Sequence, residues 1–182
     1  MVNLNNLLLP RSVSKTVSHL NIRRRAANAD DEPFLYDLYS ATREEEVSAW
    51  GLSAEQRESF LKLQFTARQR HYDIAFAGAE DRIILIDERP AGRILVFRSE
   101  LEIRLVDIAL LPEHQGRGAG AFLLKELIEE ARTAAKSLTL HVGKLNPAVR
   151  LYQRLGFAVV SDVGGDYKME WRPTTDQTKE ST

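Results

Sequence analysis

The sequence predicts one mixed α/β (α+β) domain built on a central sheet. Three features carry that expectation. Strand-like and helix-like stretches alternate in the order β-α-α-β-β-β-α-β-α-β-β, with no internal repeat and no linker. The stretch from Leu105 to Ala135 reads as a strand, a glycine-rich turn and an amphipathic helix. Length and composition agree, since 182 residues that are 43% hydrophobic suffice for one domain with a sizeable core.

The elements follow in order. Residues 1–18 are polar and irregular and read as a loose arm, and residues 19–172 carry the domain. Leu20 to Ala26 alternates and is a first strand. Asp30, Asp31, Glu32 and Pro33 put acids and an early proline at a helix start, and Leu35, Leu38, Tyr39 and Thr42 share one face of that helix. An acidic and aromatic connection follows, with Glu44, Glu45, Glu46 and Trp50. Ser53 and Gln56 form a capping box for a long helix to about Tyr72, with Leu61, Phe65, Arg68 and Tyr72 on one side. Arg82–Asp87 and Gly92–Arg98 are strands of a hairpin turning at Glu88–Ala91. Glu102–Leu111 is the strand that enters the glycine turn. The helix after the turn places Leu124, Leu127, Ile128, Ala131 and Ala135 on one stripe. Leu138–Val142 is a strand, and Asn146 caps the next helix with Pro147 at its first position and Gly156 at its end. Phe157–Ser161 and Tyr167–Trp171 are the last strands, and residues 173–182 are a polar tail.

Composition removes several function classes. Charged residues are 28% of the chain and nearly cancel to −1, so no global field recruits nucleic acid. Arg23, Arg24 and Arg25 lie on a strand whose alternation sends them to both faces. There is no cysteine, hence no disulfide, thiolate metal site or cysteine nucleophile. His19, His71, His114 and His141 are scattered without metal-ligand spacing, so no metal is expected. No apolar run approaches the ~18 residues of a membrane helix, and the first residues lack the basic and apolar regions of a signal peptide. A cytoplasmic protein with no membrane partner is the expectation.

The turn Gln115-Gly116-Arg117-Gly118-Ala119-Gly120 carries the most chemistry. Its glycines let main chain approach a ligand without Cβ atoms in the way. The unpaired N–H groups of the helix start, with their dipole, attract an anion, and Arg117 adds a positive charge. No Gly-Lys-Ser/Thr follows, so the turn is not a P-loop.

Two motifs together suggest a family. The turn matches the acyl-CoA signature of the GCN5-related N-acetyltransferase (GNAT) superfamily. About thirty residues on, Asn146-Pro147-Ala148, Leu151-Tyr152 and Leu155-Gly156-Phe157 are similar to its second cofactor motif. The chain is therefore identified as a bacterial-type member. The resemblance implies a twisted mixed sheet of six to seven strands flanked by about four helices. The fourth and fifth strands, at Ile108–Leu110 and at His141, splay apart to admit the pantetheine arm of acetyl-CoA. It implies a cofactor site of Ile108, Ala109, Leu110, Gln115, Gly116, Arg117, Gly118, Ala119, Gly120, Asn146, Ala148 and Tyr152.

Acetyl transfer from acetyl-CoA to an amine needs a proton removed from an ammonium of pKa about 10.4, a stabilised oxyanion and a proton for a thiolate whose thiol pKa is near 8.5. By resemblance Tyr152 is the proton donor. A phenol of pKa about 10 holds its proton at neutral pH, and packing at the helix–sheet interface is a compatible role. An N–H of the Ile108–Leu110 segment would stabilise the oxyanion. The base has two candidates. Aligning the turns puts Arg104 where histone-acetylating members carry a glutamate. Asp107 shares a strand phase with Ile103, Leu105 and Ala109, so it points with apolar residues and would serve as a base with a raised pKa. The competing role is a structural aspartate paired with arginine. His141 stands where ribosomal-protein alanine acetyltransferases carry a catalytic glutamate, and histidine titrates in the right range; otherwise it is a half-exposed strand histidine. A water chain would make both dispensable. Asn146 caps its helix and by resemblance also bonds pantetheine or water.

The resemblance implies that the acceptor is a primary amine of a small molecule or peptide. Tyr36, Tyr39, Arg43, Glu46 and Trp50, with Glu44 and Glu45, form the expected pocket wall. The glutamates favour a cationic acceptor unless they are a solvated helix face. Gln64, Arg68, His71 and Tyr72 either line the pocket or face the sheet. The alternatives are a non-catalytic acyl-CoA-binding module and a transferase for a longer acyl-CoA. The resemblance also leaves a homodimer open.

Overall fold

The computed structural model describes residues 20–173. The arm expected over residues 1–18 and all but Pro173 of the expected tail lie outside the described residues. A seven-stranded sheet runs through the rest: β1 Ile22–Ala26, β2 Glu80–Ile86, β3 Arg89–Arg98, β4 Glu102–Leu110, β5 Ser137–Gly143, β6 Ala158–Val163 and β7 Asp166–Trp171. Their order is β1-β2-β3-β4-β5-β7-β6. Every neighbouring pair is antiparallel except β4 and β5, which are parallel. Five α-helices flank the sheet: α1 Glu32–Ala41, α2 Glu44–Ser48, α3 Ala54–Ala75, α4 Ala119–Thr133 and α5 Ala148–Arg154.

Local chemistry explains most boundaries. Ser53 Oγ accepts from Gln56 N at 3.2 Å and Gln56 Oε1 accepts from Ser53 N at 2.9 Å, the reciprocal box that opens α3. Asn28 and Asp31 cap a short 3-10 turn, Ala29–Asp31, that leads into α1. Gly156, at φ 92°, ends α5.

Several elements differ from the sequence expectation. The acidic connection holds a helix of its own, α2, because its glutamates sit in a helical first turn where the dipole favours them. The first strand begins at Ile22 rather than Leu20. The hairpin turns at Asp87 and Glu88, whose φ angles of 50° and 63° supply the left-handed conformation that a two-residue turn needs, without glycine. Pro90 is consequently a β3 residue, opposite Leu85 beside a register shift, a place where a sheet tolerates proline. Ala135, expected on the α4 stripe, lies past the helix end at φ 53°, while Leu123 joins the buried stripe instead.

Helices α1 to α3 cover one face of the sheet and α4 and α5 the other. Leu35, Tyr39, Val47, Leu61, Phe65 and Ile83 form one cluster on the first face, and Tyr72, Leu95 and Val106 form another. The larger cluster on the second face joins Ile103, Leu105, Ile108 and Leu110 of β4 to Leu123, Leu124, Leu127 and Tyr152.

Two features of β4 position the site. The first is a bulge. Leu95 pairs with Asp107 and Val96 with Leu105, so Val106 is an extra residue. Counting by twos across a bulge inverts the face. Asp107 therefore does not share a face with Ile103 and Leu105, as alternation predicted. It points with Ala109 toward α1 and α3. The second is a fork. The parallel ladder runs from Glu102↔Ser137 to Leu105↔Leu140 and stops. Val106–Leu110 and His141–Gly143 continue past it without pairing to one another. The splay expected between these strands is present.

Candidate active site

One end of the fork is the glycine turn. Gln115 reaches back from the turn, and its Nε2 donates to the Leu110 carbonyl at 2.8 Å. Gly116 and Gly118 have φ of 67° and 91°, a conformation that L side chains rarely adopt. The amides of Gly116, Arg117 and Gly118 take no acceptor among the described residues. Ala119 and Gly120 open α4, where helix geometry leaves N–H groups unpaired. The turn thus presents consecutive unbonded amides, with the exposed Arg117 among them, a cradle that fits a pyrophosphate.

The unpaired half of β4 presents main-chain groups as well. Leu111 N–H donates to the Ala91 carbonyl of β3 at 2.8 Å. In an antiparallel ladder alternate residues bond the same neighbour, so Ala109 also serves β3 while Ile108 and Leu110 turn theirs into the fork. Gly92 secures this pairing: a Cβ there would meet the Ala109 oxygen at 2.2 Å, so only glycine lets β3 come this close.

At the centre stand Tyr152 and Asp107, both wholly inaccessible to solvent at 0% exposure. The Tyr152 ring packs edge-on against Phe157 at 5.6 Å. Its hydroxyl has no hydrogen-bond partner among the described residues, and neither has Asp107 Oδ1. Burial, and then the nearby Asp107 carboxylate, push the Tyr152 phenol above the ordinary tyrosine value. Orphaned buried polar atoms are uncommon and call for a ligand or water to complete them. Asn146 adds a third. Its Oδ1 caps α5 by accepting from Ala148 N at 2.8 Å, while its buried Nδ2 has no partner among the described residues.

Asp107 does not lie in the apolar setting expected for it. Its Oδ2 accepts from Arg68 Nη2, and Arg93 Nη1 approaches it at 4.0 Å. Arg68 Nε donates to Tyr72 Oη at 2.8 Å, and the guanidinium lies 5.2 Å from the rings of both Tyr39 and Tyr72. Arg93 is held by Asp81 at 2.7 and 2.8 Å and by Gln69 at 2.7 Å. Burial alone would lower the Arg68 pKa, but Asp107 and Tyr72 outweigh it and the net shift is upward. Burial and Asp107 push Tyr72 up as well. Arg68 and Tyr72 were left between pocket and sheet by the sequence. Arg93 escaped attention, although a lone arginine inside the apolar run Gly92–Phe97 is a signal for a buried ion pair.

His141 stands one residue past the last β4–β5 pair. Its Nδ1 is 2.7 Å from Arg104 Nη2. A guanidinium only donates, so Nδ1 accepts and the neutral ring carries its proton on Nε2. Burial, followed by the Arg104 charge, lowers the His141 pKa, with Lys168 adding and Asp166 opposing.

On the α1–α3 side a small void of about 10 Å³ adjoins Asp107 and Ala109 between Leu35, Leu38, Tyr39, Thr42, Phe65, Arg68 and Arg93. Of the five expected acceptor residues only Tyr39 lines it. Tyr36 packs against Phe65, and Trp50 packs against Phe60 and is 45% exposed. Arg43 pairs with Glu46 at 3.2 Å, and Glu44 with Arg57 at 3.6 Å. Two of the three glutamates are thus engaged by arginines. Arg23, Arg24 and Arg25 likewise face Glu88, Glu126 and Asp31.

The family model described as "Acetyltransferase (GNAT) family" matches residues 33–157, which spans the fork, the turn and α5. The chain belongs to the GNAT acetyltransferase family. It is an N-acetyltransferase by that membership. Among solved structures it is similar to the PaiA N-acetyltransferase of Thermoplasma acidophilum in complex with coenzyme A, at 19% identity and a TM-score of 0.63 over 84% of this chain and 99% of that one. An acetyltransferase of Thermus thermophilus shares 18% identity, with a TM-score of 0.59 over 84% and 97% of the two chains. A GNAT acetyltransferase of Elizabethkingia anophelis with acetyl-CoA bound shares 17%, with a TM-score of 0.53 over 84% and 98%. At such identities the likeness is one of fold. No curated protein matches the chain. No described helix is long and apolar enough to cross a membrane, and no described cluster of His, Asp or Glu could hold a metal ion.

Proposed function

We propose that this GNAT enzyme transfers an acetyl group from acetyl-CoA to a primary amine of a small molecule or peptide, in a ternary complex assembled in the β4–β5 fork. The observation that carries this is the wholly buried Tyr152 hydroxyl, left without a hydrogen-bond partner beside the equally orphaned Asp107 Oδ1. The chain fits the cofactor: the amides from Gly116 to Gly120 with Arg117 suit its pyrophosphate. The Ile108 and Leu110 main chain, with Asn146 Nδ2, suits the amides of its arm. Acetyl-CoA supplies an acyl group activated as a thioester.

The chain's own groups divide the remaining work. Tyr152 delivers a proton from Oη into the fork; burial and the Asp107 carboxylate keep that proton bound throughout neutral pH, so it is present when the thiolate departs. The Ile108 and Leu110 amides aim donors at the same space, where developing negative charge would be stabilised. Asp107 is the better base of the two candidates. Its Oδ1 has free lone pairs, and Arg68 fixes the carboxylate by the other oxygen. The lone pair on His141 Nδ1 is already occupied by Arg104. Asp107 Oδ1 therefore takes the proton of the acceptor ammonium, directly or through a water.

The test is thiol release from acetyl-CoA across a panel of primary amines, alongside CoA binding by calorimetry. The reading requires CoA binding and transfer to at least one amine, lost in Tyr152→Phe. CoA binding with no transfer to any amine, and no difference between wild type and variant, would favour the non-catalytic module instead. Comparing acetyl-, propionyl- and succinyl-CoA fixes the donor length.

A further inference from the structure

We propose that Arg104, His141 and Lys168 form an anion subsite on the acceptor side of the fork, so that the natural acceptor is an amine that also carries a carboxylate. The inference rests on the acetyl-transfer reading above and names the substrate class of that site.

The starting observation is a cation without a counter-ion. Arg68, Arg93 and Arg43, the other arginines with well-covered side chains, each face a carboxylate. Arg104 does not. It is half-buried, its guanidinium lies 5.2 Å from the Phe76 ring, and its one hydrogen-bonding neighbour is His141 Nδ1. Its Nε is buried with no partner among the described residues. Burying the Nε–H of a guanidinium without an acceptor is costly. A fold that keeps such a group beside its reaction centre leaves it for a ligand.

Two neighbours reinforce it. Lys168 of β7 is in direct register with His141, so both side chains leave the sheet on one face. Lys168 is half-buried and has no ion pair among the described residues. His141 is held as the Nε2–H tautomer, which adds a neutral donor between the two cations. None of the acids nearby forms an ion pair with Arg104 or Lys168 among the described residues. Glu102 accepts from the Thr139 hydroxyl at 3.0 Å and Glu170 is taken by Arg172 at 2.9 Å. Asp166 opposes the two cations at His141 but pairs with neither.

The cofactor's phosphates do not fit this place. Arg104 precedes Leu110, where the turn begins, by six residues of β4, about 20 Å at roughly 3.3 Å per residue. Arg104 is only three residues before Asp107, roughly 10 Å along the strand. An amine at Asp107 and a carboxylate at Arg104 are therefore two ends of one small acceptor. This reverses the cationic preference suggested by Glu44, Glu45 and Glu46, of which Glu44 and Glu46 are engaged by arginines.

Product-like amides test the subsite without turnover. N-acetylglycine, 4-acetamidobutanoate and 6-acetamidohexanoate are each titrated into the full chain with CoA, against the N-alkylacetamide of the same length. Binding is followed by calorimetry and by the His141 imidazole resonances. At least one acid should bind about tenfold or more tighter than its neutral twin and shift the His141 signals. Arg104→Gln and Lys168→Gln should each reduce that preference severalfold, with CoA affinity and melting temperature retained. Equal binding of every acid and its neutral twin overturns the proposal, as does a preference that survives both substitutions. Failure of CoA to bind the wild type would count against the acetyl-transfer reading, while the carboxylate preference would still decide the subsite.

Discussion

Replacing Tyr152 by Phe removes one oxygen and separates structure from chemistry. The hydroxyl is buried at 0% exposure and makes no hydrogen bond among the described residues. An unsatisfied buried polar group costs about 1–3 kcal/mol. Phenylalanine keeps the ring, hence the contact with Phe157 at 5.6 Å. The variant should be as stable as the wild type or more stable by up to that amount, and each kcal/mol raises the melting temperature of a chain this size by about 2–4 °C. General acid catalysis contributes about 10²–10⁴-fold, or roughly 2.7–5.4 kcal/mol at 1.36 kcal/mol per decade. The variant should therefore bind CoA normally, melt no lower and transfer acetyl groups slower by that factor. Because burial and Asp107 hold the phenol above its ordinary value near 10, the factor should stay constant from about pH 7 to pH 9.5. Thermal melts and thiol release on matched samples decide it. An unchanged turnover number refutes the catalytic role, and a melting temperature lowered by more than about 2 °C shows that the hydroxyl is structural.

Three further substitutions test the surroundings. Gly118→Glu should abolish CoA binding in calorimetry while the chain still folds: a Cβ there meets nothing within 4 Å, and the left-handed φ of 91° costs about 1–2 kcal/mol. Unchanged CoA affinity in that variant would sink the phosphate role of the turn. Arg68→Met leaves the Asp107 carboxylate buried with only Arg93 at 4.0 Å, and should cost about 3–5 kcal/mol in urea unfolding. Adding Asp107→Asn should recover part of that loss, and strict additivity would refute the pairing. His141→Gln should flatten part of the pH dependence of stability. An unfolded chain protonates this histidine below about 6.5 and the folded chain only at lower pH. Wild-type stability should thus fall as pH drops through 6.5 toward the folded value, more steeply than in the variant.

Much of the site was legible because its signals are local. The turn from Gln115 to Gly120 and the segment from Asn146 to Phe157 are short strings in which each residue has a backbone reason. Positive φ at Gly116, Gly118 and Gly156 and the cap at Asn146 operate within a few residues of themselves. The capping box at Ser53 and the buried stripe of α3 were equally plain. The face of Asp107 was misjudged because alternation assumes an unbroken ladder, and the extra residue Val106 is visible only when β3 is laid beside β4. The acidic connection was misjudged for a related reason. Glu44 and Glu46 read as a free acidic patch until Arg57 and Arg43 are seen against them.

By itself, then, the sequence determined the order of the strands, the family and the backbone turns at Gly116, Gly118 and Gly156, because backbone conformation, capping and period are properties of neighbours in the chain. Tertiary structure alone decided what meets across it. Arg68 is thirty-nine residues from Asp107, and Arg104 thirty-seven from His141. Charges so far apart acquire partners only when strands and helices pack, and the energy of a buried charge depends on those partners rather than on its own position in the chain.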